Sequence, residues 1–116
     1  MAHLNRDQIL KSDDLKLTEV QIPEWGGSVF VKPLTSKQKD QYEASLIDKK
    51  GNPVYKNIRA RLAVMCVVSD KGEQLFTDVD IEALGNKSGA ALSRIFNVVL
   101  EKNNITEEDL GDLEKN

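Results

Sequence analysis

The chain has 116 residues, 40% hydrophobic and 30% charged, with a net charge of −3. That length suits one domain and not two that each carry a proper core, since domains cluster at roughly 100–150 residues. So small a charge excludes long-range steering onto nucleic acid or an anionic membrane, and no stretch approaches the roughly 18 apolar residues of a bilayer span.

The start Met1-Ala2-His3-Leu4-Asn5-Arg6 lacks the apolar core of a secretory signal, so the product is expected to stay where it is made. Residues 1–11 show no clear period and predict a mobile or loosely docked lead-in. Leu17, Val20 and Ile22 then precede Pro23, whose predecessor is pushed toward extended geometry. A strand is expected over 17–22. Trp25-Gly26-Gly27-Ser28 is a turn signal, because paired glycines supply the positive φ angles of tight hairpins. Val29 to Val31 form the return strand, and Pro33 ends it because it lacks an amide proton. A β-hairpin is thus expected over 17–32.

Thr35-Ser36-Lys37-Gln38 has the capping-box arrangement and opens a helix over 36–47. Gly51-Asn52-Pro53 makes a loop. Ile58, Leu62 and Met65 then recur at helical spacing, thickened by Val64, Val67 and Val68, which predicts a helix buried on most sides. The β-branched pairs keep a second reading open for 63–68, a strand leading into the turn Ser69-Asp70-Lys71-Gly72. Thr77 with Asp80 caps a short helix that Gly85 terminates. The clearest helix covers 87–102, capped by Ser88 or Asn86, with Leu92, Ile95, Phe96 and Val99 on one face. A last short helix opens at Thr106, with Ile105 and Leu110 placed as a hydrophobic staple, and 114–116 are expected to fray. The fold class is therefore α+β: an N-terminal β-hairpin followed by a mostly helical body of about four helices, in one domain.

The chemistry of catalysis is thin. His3 and Cys66 are the only histidine and cysteine, too few for a zinc site and poor material for a triad. Cys66 lies inside the apolar run from Leu62 to Val68, where a buried thiol in a reducing compartment is expected. Asp78, Asp80 and Glu82 lack the glycine and the further oxygen ligands of a calcium loop. The expectation is a binding protein with no catalytic residue, metal or cofactor. With aromatics at 5% of the chain, Trp25 and the face Leu92, Ile95, Phe96 and Val99 are the candidate partner-binding residues. Intramolecular core is the competing reading for each. Charge is unevenly spread: 37–61 hold seven Lys/Arg against three acids, while 70–84 and 103–116 each hold five acids against one Lys. Solvated faces explain this, and self-association through contacts between neighbouring subunits is the alternative.

Taken in order, several segments resemble a known family. They are Asp13-Asp14-Leu15; Ile22-Pro23-Glu24-Trp25-Gly26-Gly27 running into Val29-Phe30-Val31; Val68-Ser69-Asp70-Lys71-Gly72-Glu73-Gln74-Leu75-Phe76; Asp78 to Leu84; and Lys87-Ser88 opening an apolar helix. This order is similar to that of the tail assembly chaperones of long-tailed bacteriophages and prophages, over residues 9–113. The Pro-Glu-Trp-Gly-Gly hairpin is its most specific element. The resemblance implies a protein of the bacterial host cytoplasm, missing from the finished virion, that binds the tape measure protein, keeps it soluble and recruits tail tube protein. A head–tail connector or tail-terminator protein is the alternative. A small DNA-binding regulator fits less well, because no helix pairs a short turn with a basic, base-reading face.

Overall fold

The computed structural model describes residues 3–103. Helix α1 (Arg6–Lys11) stands where the sequence predicts no element. It rests on a reciprocal cap: the Asn5 side chain accepts from the Gln8 N–H, and the Gln8 side chain accepts from the Asn5 N–H. No residue of α1 is buried.

The expected hairpin is present, β1 (Thr18–Ile22) antiparallel to β2 (Gly27–Val31), with Thr18 opposite Val31 and Ile22 opposite Gly27. Alternation sets its faces: Val20 and Ile22 are buried, whereas Glu19 and Gln21 are exposed. The strands are joined by one 3-10 turn, Pro23–Trp25, and by Gly26. Of the paired glycines, Gly26 alone takes the left-handed conformation, at φ 72°, while Gly27 already belongs to β2.

Helix α2 (Ser36–Ser45) carries the expected box, Thr35 accepting from the Gln38 N–H and Gln38 from that of Thr35. Helix α3 (Ile58–Cys66) runs directly into β3 (Val67–Val68), which completes a three-stranded sheet of order β1-β2-β3. Both readings of 63–68 are therefore partly right. The helix lasts through Cys66, and the β-branched pair then joins β2 with Phe30 opposite Val68 and Val31 opposite Val67. The turn after it closes with the Gly72 N–H donating to the Ser69 carbonyl.

A 3-10 turn, Asp78–Asp80, leads into α4 (Ile81–Gly85), and at the expected cap the Asp80 carboxylate accepts from the Thr77 N–H at 2.9 Å. Gly85 is the last residue of α4, and Asn86 caps it. A Cβ at Gly85 would displace the side chain of Asn57. Asn57 itself holds φ 55° at the start of α3 and donates to Glu82 on α4. Helix α5 (Gly89–Lys102) begins at Ser88, whose hydroxyl accepts from the Ala91 N–H. Four helices thus follow the hairpin among the described residues. The expected helix at 106–110 and the frayed end at 114–116 lie outside those residues.

The core is one cluster, in which α5 packs on α3, on both strands of the hairpin and on the turn between them. Ile22, Val31, Leu46, Leu62, Val64, Val67, Ile95 and Val99 are all essentially inaccessible. Each such side chain contributes about 1.5–3 kcal/mol by leaving water. Among the described residues, no helix is long and apolar enough to cross a membrane.

Burial corrects one functional expectation. Leu92, Ile95, Phe96 and Val99 were candidate partner-binding residues, yet all four lie inside this core, with Phe96 the most exposed at 8%. A helix sandwiched between a sheet and another helix has no apolar face left to offer. Ile95→Ala is accordingly expected to lower unfolding stability by about 2–5 kcal/mol, as read by chemical denaturation. A surface anchor replaced in the same way would leave the midpoint nearly unchanged.

Candidate functional site

The fifth candidate, Trp25, has a different position. It stands at the hairpin tip with 39% of its surface exposed, and with Phe76, Leu84 and Lys87 it lines an open groove of about 340 Å³. Three parts of the chain converge there: the 3-10 turn brings Trp25, the segment after the Ser69–Gly72 turn brings Phe76, and α4 with its following turn brings Leu84 and Lys87. The Gln74 side chain fixes the second part by donating to the carbonyls of Val64 at 3.0 Å and Phe76 at 2.7 Å.

The hairpin tip is held by the residue beside the tryptophan. Arg94 of α5 donates through Nε to Glu24 Oε1 at 2.9 Å and through Nη2 to Oε2 at 3.0 Å, a two-pronged pairing that fixes orientation as well as distance. The Arg94 hydrogen bond is the main reason that the Glu24 carboxyl is held below its ordinary pKa, and the same bond raises that of Arg94. Within Pro-Glu-Trp-Gly-Gly, then, the roles are divided, with Pro23 starting the turn, Glu24 clamping it to α5, Trp25 displayed and Gly26 allowing the reversal.

A second cleft, of about 440 Å³, is lined by Tyr42, Ser45, Arg61, Met65, Asp78 and Ile81 with Gln41. Its most polar member is a structural brace. Arg61 Nη1 donates to the Ser45 carbonyl at the end of α2, and Nη2 to that of Val54, so one guanidinium ties both ends of the 46–54 loop to α3. The Tyr42 hydroxyl beside it is buried, and burial pushes its pKa up to about 12.

Much of the basic middle is engaged within the chain. Lys56 pairs with Glu82 at 3.5 Å, Arg59 lies 5.3 Å over the Phe96 ring and Lys39 meets Glu43 along α2. Among the described residues, no three His, Cys, Asp or Glu side chains gather closely enough to hold a metal ion. Cys66 is fully buried, and burial pushes its thiol up to about 12. The thiol stays protonated and out of reach of solution.

Sequence reasoning singled out Trp25 and missed its neighbours. Phe76 and Leu84 read as ordinary apolar positions, and nothing in their spacing says that they meet a residue some fifty positions earlier.

Comparisons of this chain with protein-family models, with curated proteins and with solved structures found no match.

Two measurements follow from the buried titratable groups. Native protein is expected to leave Cys66 unreactive toward an aromatic disulfide reagent until denaturant is added. Stability is also expected to fall at alkaline pH. Folded Cys66 and Tyr42 stay neutral up to about pH 12, whereas in the unfolded chain they ionise near their ordinary values of 9.0 and 10.0. Protection is complete below pH 9 and is lost between there and about pH 12. Each group contributes a slope of about 1.4 kcal/mol per pH unit over its own window. In denaturation curves recorded across pH, Cys66→Ala should remove the part of the loss that begins at pH 9.

Proposed function

We propose that this protein is a tail assembly chaperone of a long-tailed bacteriophage or prophage, acting by binding and not by catalysis. It acts in the host cytoplasm, where it engages the tape measure protein, shields apolar helical length from aggregation and brings tail tube protein to it. It leaves before the virion is complete.

The observation that carries this reading is the Pro-Glu-Trp-Gly-Gly turn, together with the groove on which its tryptophan opens. Aromatic side chains half out of water beside an apolar recess are the usual anchors of helix-in-groove recognition. The groove takes apolar residues from one face of a partner helix, and Lys87 sits at its rim for an acidic neighbour. The order of the other segments, from Asp13-Asp14-Leu15 to Lys87-Ser88, supports the same family. The buried face of α5 takes no part.

Co-expression with the tape measure protein of the same gene cluster tests the proposal. The expected result is a several-fold rise in soluble tape measure protein, with the two co-purifying. Trp25→Ala should reduce that rise while the chaperone itself stays soluble. Equal solubility with and without this chain, and no co-purification, would refute the assignment.

A further inference from the structure

The cleft between α2, α3 and the segment from Asp78 to Ile81 shares no lining residue with the Trp25 groove. Its volume of about 440 Å³ suits a small molecule. Two polar atoms of its lining residues have no hydrogen-bond partner among the described residues, the Tyr42 hydroxyl and Arg61 Nε, and both are closed off from solvent. Tyr42 as a whole is only 2% exposed, which keeps bulk water from its hydroxyl. Buried polar groups are nearly always paired, so each exception calls for a cause.

Both atoms want the same kind of partner. Burial keeps the Tyr42 hydroxyl protonated up to about pH 12, and a guanidinium does not lose its proton, so each offers a hydrogen to an acceptor. The charge of Arg61 is uncompensated as well. Nη1 and Nη2 donate to the carbonyls of Ser45 and Val54, which are neutral, and Arg61 makes no ion pair among the described residues. A carboxylate answers all three demands, since it accepts only, presents two oxygens and carries the opposite charge.

The rest of the lining limits what can carry that carboxylate. Met65 and Ile81, both partly buried, give apolar wall to a short hydrocarbon body, and the unbranched Met65 can yield as the carboxylate reaches the covered atoms. Asp78 lines the same cleft, exposed and without an ion pair among the described residues. A second negative charge at that end would be repelled, whereas an ammonium would be paired. Arg61 and Asp78, opposite charges that face one cleft without pairing with each other, thus call for a ligand that carries both.

We infer that this cleft binds a small zwitterion of the amino-acid class, its carboxylate between Tyr42 Oη and Arg61 Nε and its ammonium at Asp78. The nitrogen-15-labelled protein is titrated in turn with 4-aminobutyrate, butyrate, butylamine and succinate while the Arg61 Nε–H resonance is followed. The expected result is a saturable shift with 4-aminobutyrate, several-fold weaker binding of butyrate, and none of butylamine or succinate. Tyr42→Phe removes a hydroxyl that bonds nothing within the described fold. It should therefore melt no lower than the parent, and yet weaken 4-aminobutyrate binding about tenfold, the cost of one hydrogen bond to a charged group. Asp78→Asn, at an exposed position, should keep butyrate binding and erase the advantage of the amino acid. Absence of a saturable shift with 4-aminobutyrate overturns the inference, and so does undiminished binding by the Tyr42→Phe chain. A Tyr42→Phe chain that melts well below the parent overturns it too, because the hydroxyl would then have a partner inside the fold. Butyrate, butylamine or succinate binding as tightly as 4-aminobutyrate has the same consequence.

Discussion

Helix α5 has to bury an apolar face along its whole length, from Ala91 to Leu100, and the remaining elements are arranged around that requirement. Neither neighbour covers it alone. Helix α3 supplies Leu62 and its companions on one flank, and the hairpin supplies Val20, Ile22 and Val31 on the other. The hairpin is too small to be stable in water by itself, since an isolated two-stranded unit is marginal at best. Against α5 its inner face becomes core. The outer residues of α5, Arg94 above all, then point away from the core and are free to hold other parts of the chain.

The junction between α3 and β3 makes the two layers one body. Cys66 ends the helix and Val67 begins the strand, so no loop intervenes between helical and sheet packing. The Cys66 carbonyl accepts from the Lys32 N–H just beyond β2, which fastens the junction to the hairpin. Farther along, the Asn103 side chain accepts from the Leu34 N–H and donates to the Val99 carbonyl, closing the end of α5 over the same region. Backbone groups at the edges of the elements are thereby satisfied inside the fold.

Local chemistry made much of this readable. Caps and turns depend on residues three or four apart, so Thr35 with Gln38, Thr77 with Asp80 and Ser88 ahead of α5 could be placed from sequence, and so could the hairpin. Helix α1 escaped because its signal is a cap, Asn5 with Gln8, on a segment too short to show a period. The division of 63–68 was ambiguous because Val67 and Val68 satisfy both periods, and only pairing with β2 decides between them. The face of α5 was legible as apolar but not as to what covers it. For the groove, Trp25 was conspicuous, whereas the Phe76 and Leu84 contributions depend on tertiary placement. The Glu24–Arg94 pair, 70 residues apart, left no sequence trace.

That separation bears on synthesis. A ribosome delivers the hairpin early, but the groove needs Leu84 and Lys87, and the clamp on its tip needs Arg94. A nascent chain stopped anywhere before those residues displays a tryptophan with no recess beside it. The recess and its clamp therefore form only after residues through Arg94 have been made, so in order of synthesis the tryptophan precedes by some seventy residues the side chains that shape its surroundings.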